Sequence, residues 1–349
     1  MKRKSVKFIA LLLMVLFAIT LVVGCSGGET KKEEPKAEEP KKEEVKVETT
    51  VLKIAHTLVA DHPYHAGLVE FGKILKEKTN GKYSVEIYPA AQLGSERESI
   101  EGVQMGTIDL TLVSTAPLAG FSDAFLVSDL PFIFKSREHA YKVLDGEIGK
   151  DMFTKLEGSG LVGLAFWENG FRNVTNSSGP VVLPGDMKGM KIRTMENQIH
   201  MDSFKVIGAD PTPMAFGELF TALQQKTVDA QENPLPIIFT SKFFEVQDNL
   251  ALTGHFYAPA PLLISQNLWD KLSAEEKEIF QKAANDARDF ERKIILDMDN
   301  SLLSELKANG MKVTEPDKAE WQKAMLPVYE KWQDKIGKDL IERVQAAGQ

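Results

Sequence analysis

From residue 51 onward, apolar positions follow two spacings: the two-residue period of half-buried strands and the 3.6-residue period of amphipathic helices. Val51–Ala55 reads as a strand. Tyr64, Leu68, Phe71 and Leu75 share one face of a helix over Tyr64–Thr79, stopped by Asn80-Gly81. Tyr83, Val85 and Ile87 alternate in a second strand that ends at Pro89. Ser95 and Glu98 predict a capping box for a helix stopping near Gly106, and Ile108–Val113 is a third strand. This βαβαβ order predicts a parallel sheet covered on both faces. Further strands follow at Leu161–Trp167, Met190–Thr194, Val228–Gln231 and Leu262–Ser265, with helices near Asn197–Ile207 and Ala215–Gln225.

A second capping box, Ser273 with Glu276, opens an unusually long helical pattern. Its apolar positions are Ile279, Phe280, Ala283, Ala287, Phe290, Ile294, Met298 and Leu302, and Asn309-Gly310 stops it. At 1.5 Å per residue such a helix is roughly 50 Å long, about the width of two small domains. Either it runs across a domain boundary or it is a kinked pair.

The first 50 residues follow neither period. Lys2, Arg3, Lys4 and Lys7 precede an apolar run from Phe8 to Val23, too short for the ~20 residues of a spanning helix. Small residues follow, so residues 1–24 read as a secretory signal. Val22-Val23-Gly24-Cys25 looks like a bacterial lipobox, with Cys25 the lipidated first residue of the mature chain. It is the only cysteine, so no internal disulfide is possible. Residues 25–50, with KKEEPKAEEPKKEE, mix lysine, glutamate and proline, and read as a disordered tether. Roughly 25 residues of coil reach about 25–30 Å, which lifts a globular body clear of the lipid.

That body, about 300 residues, exceeds the usual size of a single core and predicts two domains. The formal charge of −8 becomes −12 once the four basic leader residues are removed. Nucleic acid and anionic surfaces are therefore excluded as partners.

Candidate chemistry centres on GMKIRTMEN, Gly189–Asn197. Met190 and Ile192 alternate with Lys191 and Arg193, and Arg193 stands at the carboxyl end of the strand. In open α/β sheets that end faces the ligand crevice, where a guanidinium fork matches a carboxylate. A structural ion pair is the alternative. Two rival chemistries have less to stand on. His56, His62 and His65 are close enough in sequence to share a metal ion such as zinc, but no second ligand cluster follows. A hydrolase would need a G-x-S-x-G elbow or HExxH, and neither is present; Glu168, Glu196 and Glu232 have no pairing evident in their spacing. No enzymatic activity and no cofactor is expected.

Several stretches resemble the DctP-type substrate-binding proteins of TRAP (tripartite ATP-independent periplasmic) transporters. They are YPAAQLG at Tyr88–Gly94, EGVQMGTIDL from Glu101, DLPFIF from Asp129, WENGFRNVTN from Trp167, GMKIRTMEN, and GADPTPMAFGELFTALQQKTVDAQENP over Gly208–Pro234. The likeness spans Val51–Gln349. It implies two α/β domains of periplasmic-binding-protein type around a central cleft, joined by crossing strands and the long helix. The expected boundaries are 51–169 with 259–298, and 170–258 with 299–349. It also implies a small organic acid as ligand, held by Arg193, Arg172 and Asn233. Trp167 and Phe216 are either cleft walls or core, and His56 and Tyr257 are further candidate contacts. Sialic-acid-binding members carry a charged pair after the third strand, where this chain has Ser114, Thr115 and Pro117. Ser114 is thus expected to meet the ligand's far end in a small, hydroxylated setting. That argues against sialic acid and leaves C4-dicarboxylates, sugar acids such as uronates, and oxo or hydroxy acids open. The resemblance further implies delivery to TRAP permease subunits at the outer face of the membrane.

Overall fold

The computed structural model describes residues 48–348. The signal segment, Cys25 and all but the last residues of the expected tether lie outside them. The ordered body starts slightly earlier than the sequence suggests. Thr50 is already in the first strand, and Thr49 Oγ1 donates to Gly81 O at 2.9 Å. Among the described residues no helix is long and apolar enough to cross a membrane.

Among the described residues nine strands form one sheet: β1 (Thr50–Ala55), β2 (Tyr83–Tyr88), β3 (Leu110–Leu112), β4 (Leu161–Asn176), β5 (Lys191–Thr194), β6 (Asp210–Pro213), β7 (Ala230–Asn233), β8 (Asn249–Ser265) and β9 (Lys312–Thr314). Their order is β2-β1-β3-β8-β4-β7-β5-β6, with β9 on β8. β1 runs parallel to β2 and β3, as the βαβαβ order predicts, and β5 runs parallel to β6 and β7. Both capping boxes are formed, at Ser95/Glu98 and Ser273/Glu276. Gly106 ends its helix at φ +74, a conformation a side chain resists.

β4 and β8 join the two parallel groups, and both are far longer than their apolar segments. β4 covers 16 residues and β8 covers 17, antiparallel along their length and interrupted by bulges at Gly163/Ala165, Glu168/Gly170 and Arg172/Val174. At the middle bulge Gly170 takes φ +118, with Pro234 Cβ 3.2 Å from where a Cβ would stand. The bulge therefore admits only glycine without strain.

The long helix is a single element, Ala274–Ala308. It packs on the helix Pro63–Lys78, on β4, and on Leu235–Thr240, so it touches both groups. Phe280, Ala283, Ala287 and Leu302 face the core as the periodicity predicts. Phe290 does not: it is 42% exposed, and Ile295 is buried in place of Ile294. A 3.6-residue repeat drifts around a helix of this length, so a strict pattern assigns the wrong face midway.

Candidate functional site

The carboxyl ends of the two parallel groups meet at a narrow, partly open cavity with about 10 Å³ of free space. Ser114 follows β3, Arg193 ends β5, Asn233 ends β7, and Arg172 and Asn169 come from the bulged middle of β4. A neighbouring cavity of similar size shares Glu96, Arg193, Met195 and Phe216. A larger open hollow lies between β4 and the long helix, and two of its polar side chains are already partnered: Gln281 Nε2 donates to Leu164 O at 2.5 Å, and Arg288 Nη1 meets Asp145 Oδ1 at 3.2 Å.

Arg193 is 2% exposed and has no carboxylate partner among the described residues. Its Nε and Nη2 donate to Met214 O at 2.9 and 2.7 Å, Phe216 lies 6.0 Å from the guanidinium, and Nη1 is unpartnered. Burial, and next the Arg172 charge, pull its pKa down to about 10, so it remains a cation at neutral pH. Arg172 is clamped by Glu232. Nε and Nη2 meet the two carboxylate oxygens at 2.5 and 2.8 Å, Nη2 also meets Glu232 O at 2.6 Å, and Nη1 is free. Burial would raise Glu232, but the Arg172 charge and the hydrogen bonds from His255 and Arg172 outweigh it. The carboxyl is held well below the usual glutamate range.

Two buried guanidiniums, each presenting a free Nη1, thus face one cavity with Asn233. Asn233 is fixed from behind: Nδ2 donates to Gln231 Oε1 at 2.5 Å, and Gln231 Nε2 to Thr175 Oγ1 at 2.7 Å. A desolvated cation with unused donors is unfavourable unless an anion completes it. A ligand carboxylate supplies that charge and two acceptor oxygens.

Of the residues expected from sequence, Arg193, Arg172, Asn233, Ser114 and Phe216 line this cavity. Trp167 is core: it is fully buried against Gly67, and its Nε1 donates to Ala284 O at 3.2 Å. Tyr257 is likewise interior, packed edge-on to Phe134 and Phe171. His56 is buried behind the wall, while its neighbours Thr57 and Leu58 line it. The three histidines do separate work. His56 Nε2 meets His65 Nδ1 at 3.2 Å, and His62 Nδ1 accepts from Tyr64 N to cap its helix. Among the described residues no three His, Cys, Asp or Glu side chains are placed to share a metal.

Among the wall residues that escaped the sequence reading are Tyr64, Glu96 and Asn169. Tyr64 resembled one more apolar position on a helix face, and Glu96 an ordinary first-turn acid beside its cap. The far end is not merely small and hydroxylated. Ser114 N and Oγ both donate to Glu96 Oε1, at 2.7 and 2.9 Å, so a carboxylate stands there.

Two groups of parallel strands, crossed by β4, β8 and the long helix and closing on paired arginines, define a solute receptor of the periplasmic-binding-protein type. The model of the bacterial extracellular solute-binding protein family 7 (DctP) matches residues 54–335. The chain belongs to that family. A TRAP periplasmic solute-binding protein from Polaromonas sp. JS666, solved bound to D-erythronate, is 46% identical with a TM-score of 0.84, over 86% of this chain and 99% of that one. The 2,3-diketo-L-gulonate-binding periplasmic protein YiaO of Escherichia coli K12 is 40% identical over 71% of this chain and 76% of its own length. The C4-dicarboxylate-binding periplasmic protein DctP of Rhodobacter capsulatus is 34% identical, over 86% and 91%. This protein is accordingly a non-enzymatic, extracytoplasmic receptor for small carboxylates in TRAP transport.

Proposed function

We propose that the protein captures a small organic acid, holding its carboxylate on Arg193, Arg172 and Asn233, and hands it to the membrane subunits of a TRAP permease. The observation that carries this reading is Arg193, a buried cation with an unpartnered Nη1 and no carboxylate partner among the described residues, which lines the same cavity as Arg172. The ligands named for the relatives, D-erythronate, 2,3-diketo-L-gulonate and C4-dicarboxylates, support a small acid. The two domains comprise residues 51–169 with 259–298, and 170–258 with 299–349, and close around the ligand about the bulge at Gly170. Cys25 carries the acyl anchor, and the Lys/Glu/Pro segment is the tether that keeps the receptor beside its permease.

A thermal-shift screen of the purified protein against organic acids tests the ligand assignment. An acid at a hundred times its Kd stabilises the fold by about 2.7 kcal/mol. No shift from any carboxylate, with none co-purified in the cleft, would overturn it. Labelled palmitate should be incorporated in bacterial cells and lost in Cys25→Ser, which should also leave the membrane fraction. Retention of label in that variant would refute the anchor.

A further inference from the structure

The helix after β5, Gln198–Val206, opens on Asn197, shortly beyond Arg193. As the N-cap, Asn197 accepts through Oδ1 from Ile199 N at 2.8 Å and His200 N at 3.2 Å. That fixes the direction of its amide. Nδ2 is turned away from the helix and donates to Ala116 O at 3.0 Å and to Asp129 Oδ2 at 2.8 Å. Every hydrogen-bonding position of the side chain is thereby used, two on each side of the contact. Ala116 follows Ser114 of the cavity wall, and Asp129 ends the short 3-10 helix Asp123–Asp129. Asp129 is buried, and among the described residues no lysine or arginine pairs with it. Its other neighbours are weaker: Thr115 Oγ1 at 3.5 Å, and His200 Nε2 at 3.3 Å from a ring stacked on Phe256.

Resting on the receptor reading and the domain division above, we propose that Asn197 and Asp129 form a joint between the two domains that sets how tightly the shut cleft holds its acid. Neither residue lines the cavity, so both are positioning residues. They act through Arg193 on one side and Ser114 on the other, whose segments the joint ties together. The division places Ala116 and Asp129 in one domain, and Asn197 with His200 in the other. The two sides approach closely enough to leave about 10 Å³ of free space between them, so the joint belongs to the shut form. Opening the cleft swings Arg193 away from Ser114 and must break the bond from Asn197 Nδ2 to a carboxylate, one of the stronger kinds of hydrogen bond. Closure then draws on a contact that the ligand never touches, and affinity includes its contribution. The rival role is a fixed pivot, intact whether the cleft is open or shut. A pivot supports the fold and leaves affinity alone.

The test is calorimetric titration of the purified full-length protein with D-erythronate, beside thermal unfolding of the empty protein. Asn197→Asp keeps a good helix cap but sets carboxylate against carboxylate. It should weaken Kd about tenfold or more, with the empty protein's midpoint nearly unmoved. Asp129→Asn leaves every cap in place and should weaken Kd about fivefold. That sign is informative, because removing a negative charge near an anion site would by electrostatics alone tighten binding. The double variant returns donor and acceptor to opposite sides at the wild-type net charge, and should recover most of the lost affinity. Wild-type or tighter binding in Asp129→Asn overturns the proposal, and that variant decides the matter if Asn197→Asp folds poorly. So does a fall in the empty protein's midpoint with Kd unmoved, which is the behaviour of a pivot. Arg193→Ala separates this claim from the one beneath it. If that variant loses the acid while the joint variants hold it as wild type does, the joint alone fails. If Arg193→Ala itself binds as wild type does, the receptor reading fails too.

Discussion

Among the described residues, two clusters of buried and half-buried arginine are built to opposite rules. In the first, at the crossing of β4 and the long helix, each guanidinium has acid within reach. Arg137 Nε meets Glu168 at 2.5 Å and its Nη2 meets Asp299, while Tyr141 also donates to Glu168. Arg292 takes both oxygens of Asp145 at 2.6 and 3.0 Å and stacks 3.8 Å over Tyr141. Beside them the buried Glu291 carboxyl is pushed well up, first by burial and next by the neighbouring Glu168. In the second cluster, at the cleft, Glu232 clamps Arg172 alone, Arg193 has no carboxylate partner among the described residues, and each keeps an unpartnered Nη1. Each cluster has unpartnered buried atoms, Arg292 Nε in the first and two Nη1 groups in the second. Charge balance separates them: Arg137 and Arg292 meet three carboxylates, Glu168, Asp299 and Asp145, whereas the two cleft arginines have Glu232 on Arg172 alone, and an uncompensated buried charge favours a counter-ion from outside.

The largest effect that would sharpen this contrast lies on the scaffold side. Arg137→Ala leaves the fully buried Glu168 carboxylate with Tyr141 as its remaining side-chain donor, and breaking such a pair costs about 3–5 kcal/mol. Arg137 is itself 20% exposed at its side chain, which places the loss toward the lower end. Thermal unfolding should show a fall of several degrees, with affinity for the ligand far less affected. An unchanged midpoint would mean the cluster is not structural.

A smaller effect comes from groups that avoid the cost of burial by giving up their charge. Burial, and next the neighbouring histidines, hold His56 and His62 down to about 3, against 6.5 when unfolded. Between those values the unfolded chain binds the extra protons. The stability these imidazoles contribute is therefore whole above pH 6.5 and is lost as pH falls toward 3. Each should contribute a slope on the order of 1 kcal/mol per pH unit in that window. His56→Asn should flatten the decline of the unfolding midpoint between pH 6.5 and 4.5. A decline as steep as wild type would place the acid sensitivity elsewhere. Arg193, still protonated to about pH 10, has no such escape.

The same contrast explains what the sequence made legible. Elements with apolar periodicity were readable nearly to the residue: the helix Pro63–Lys78, β2, both capping boxes and the long helix. β4 and β8 were visible only as Leu161–Trp167 and Leu262–Ser265. Their other halves bury Glu168, Asn169, Arg172, Asn173 and Thr175 in β4, and Thr253 and His255 in β8. Two prolines, Pro259 and Pro261, further break the β8 pattern. Polar residues buried for function erase the alternation that marks a strand, so the crossing segments vanish where they matter most. Arg193 stood out because it closed a clean apolar alternation at a strand end. Glu96 did not, since the first turn of any helix favours an acid. Its role depends on Ser114, 18 residues away. No local pattern carries that information.

The most direct test of the central claim is one variant measured twice. Arg193→Ala removes a buried cation that has no carboxylate partner among the described residues, so the empty protein should keep its unfolding midpoint to within about 1 kcal/mol of stability or gain slightly. In calorimetric titration with D-erythronate the same variant should lose about 2–5 kcal/mol of binding free energy, the range for withdrawing one partner of an enclosed charge pair. Stability kept and binding lost would establish Arg193 as a site left incomplete for a ligand. Wild-type affinity, or a collapse of stability equal to that of Arg137→Ala, would place it with the scaffold and contradict the account.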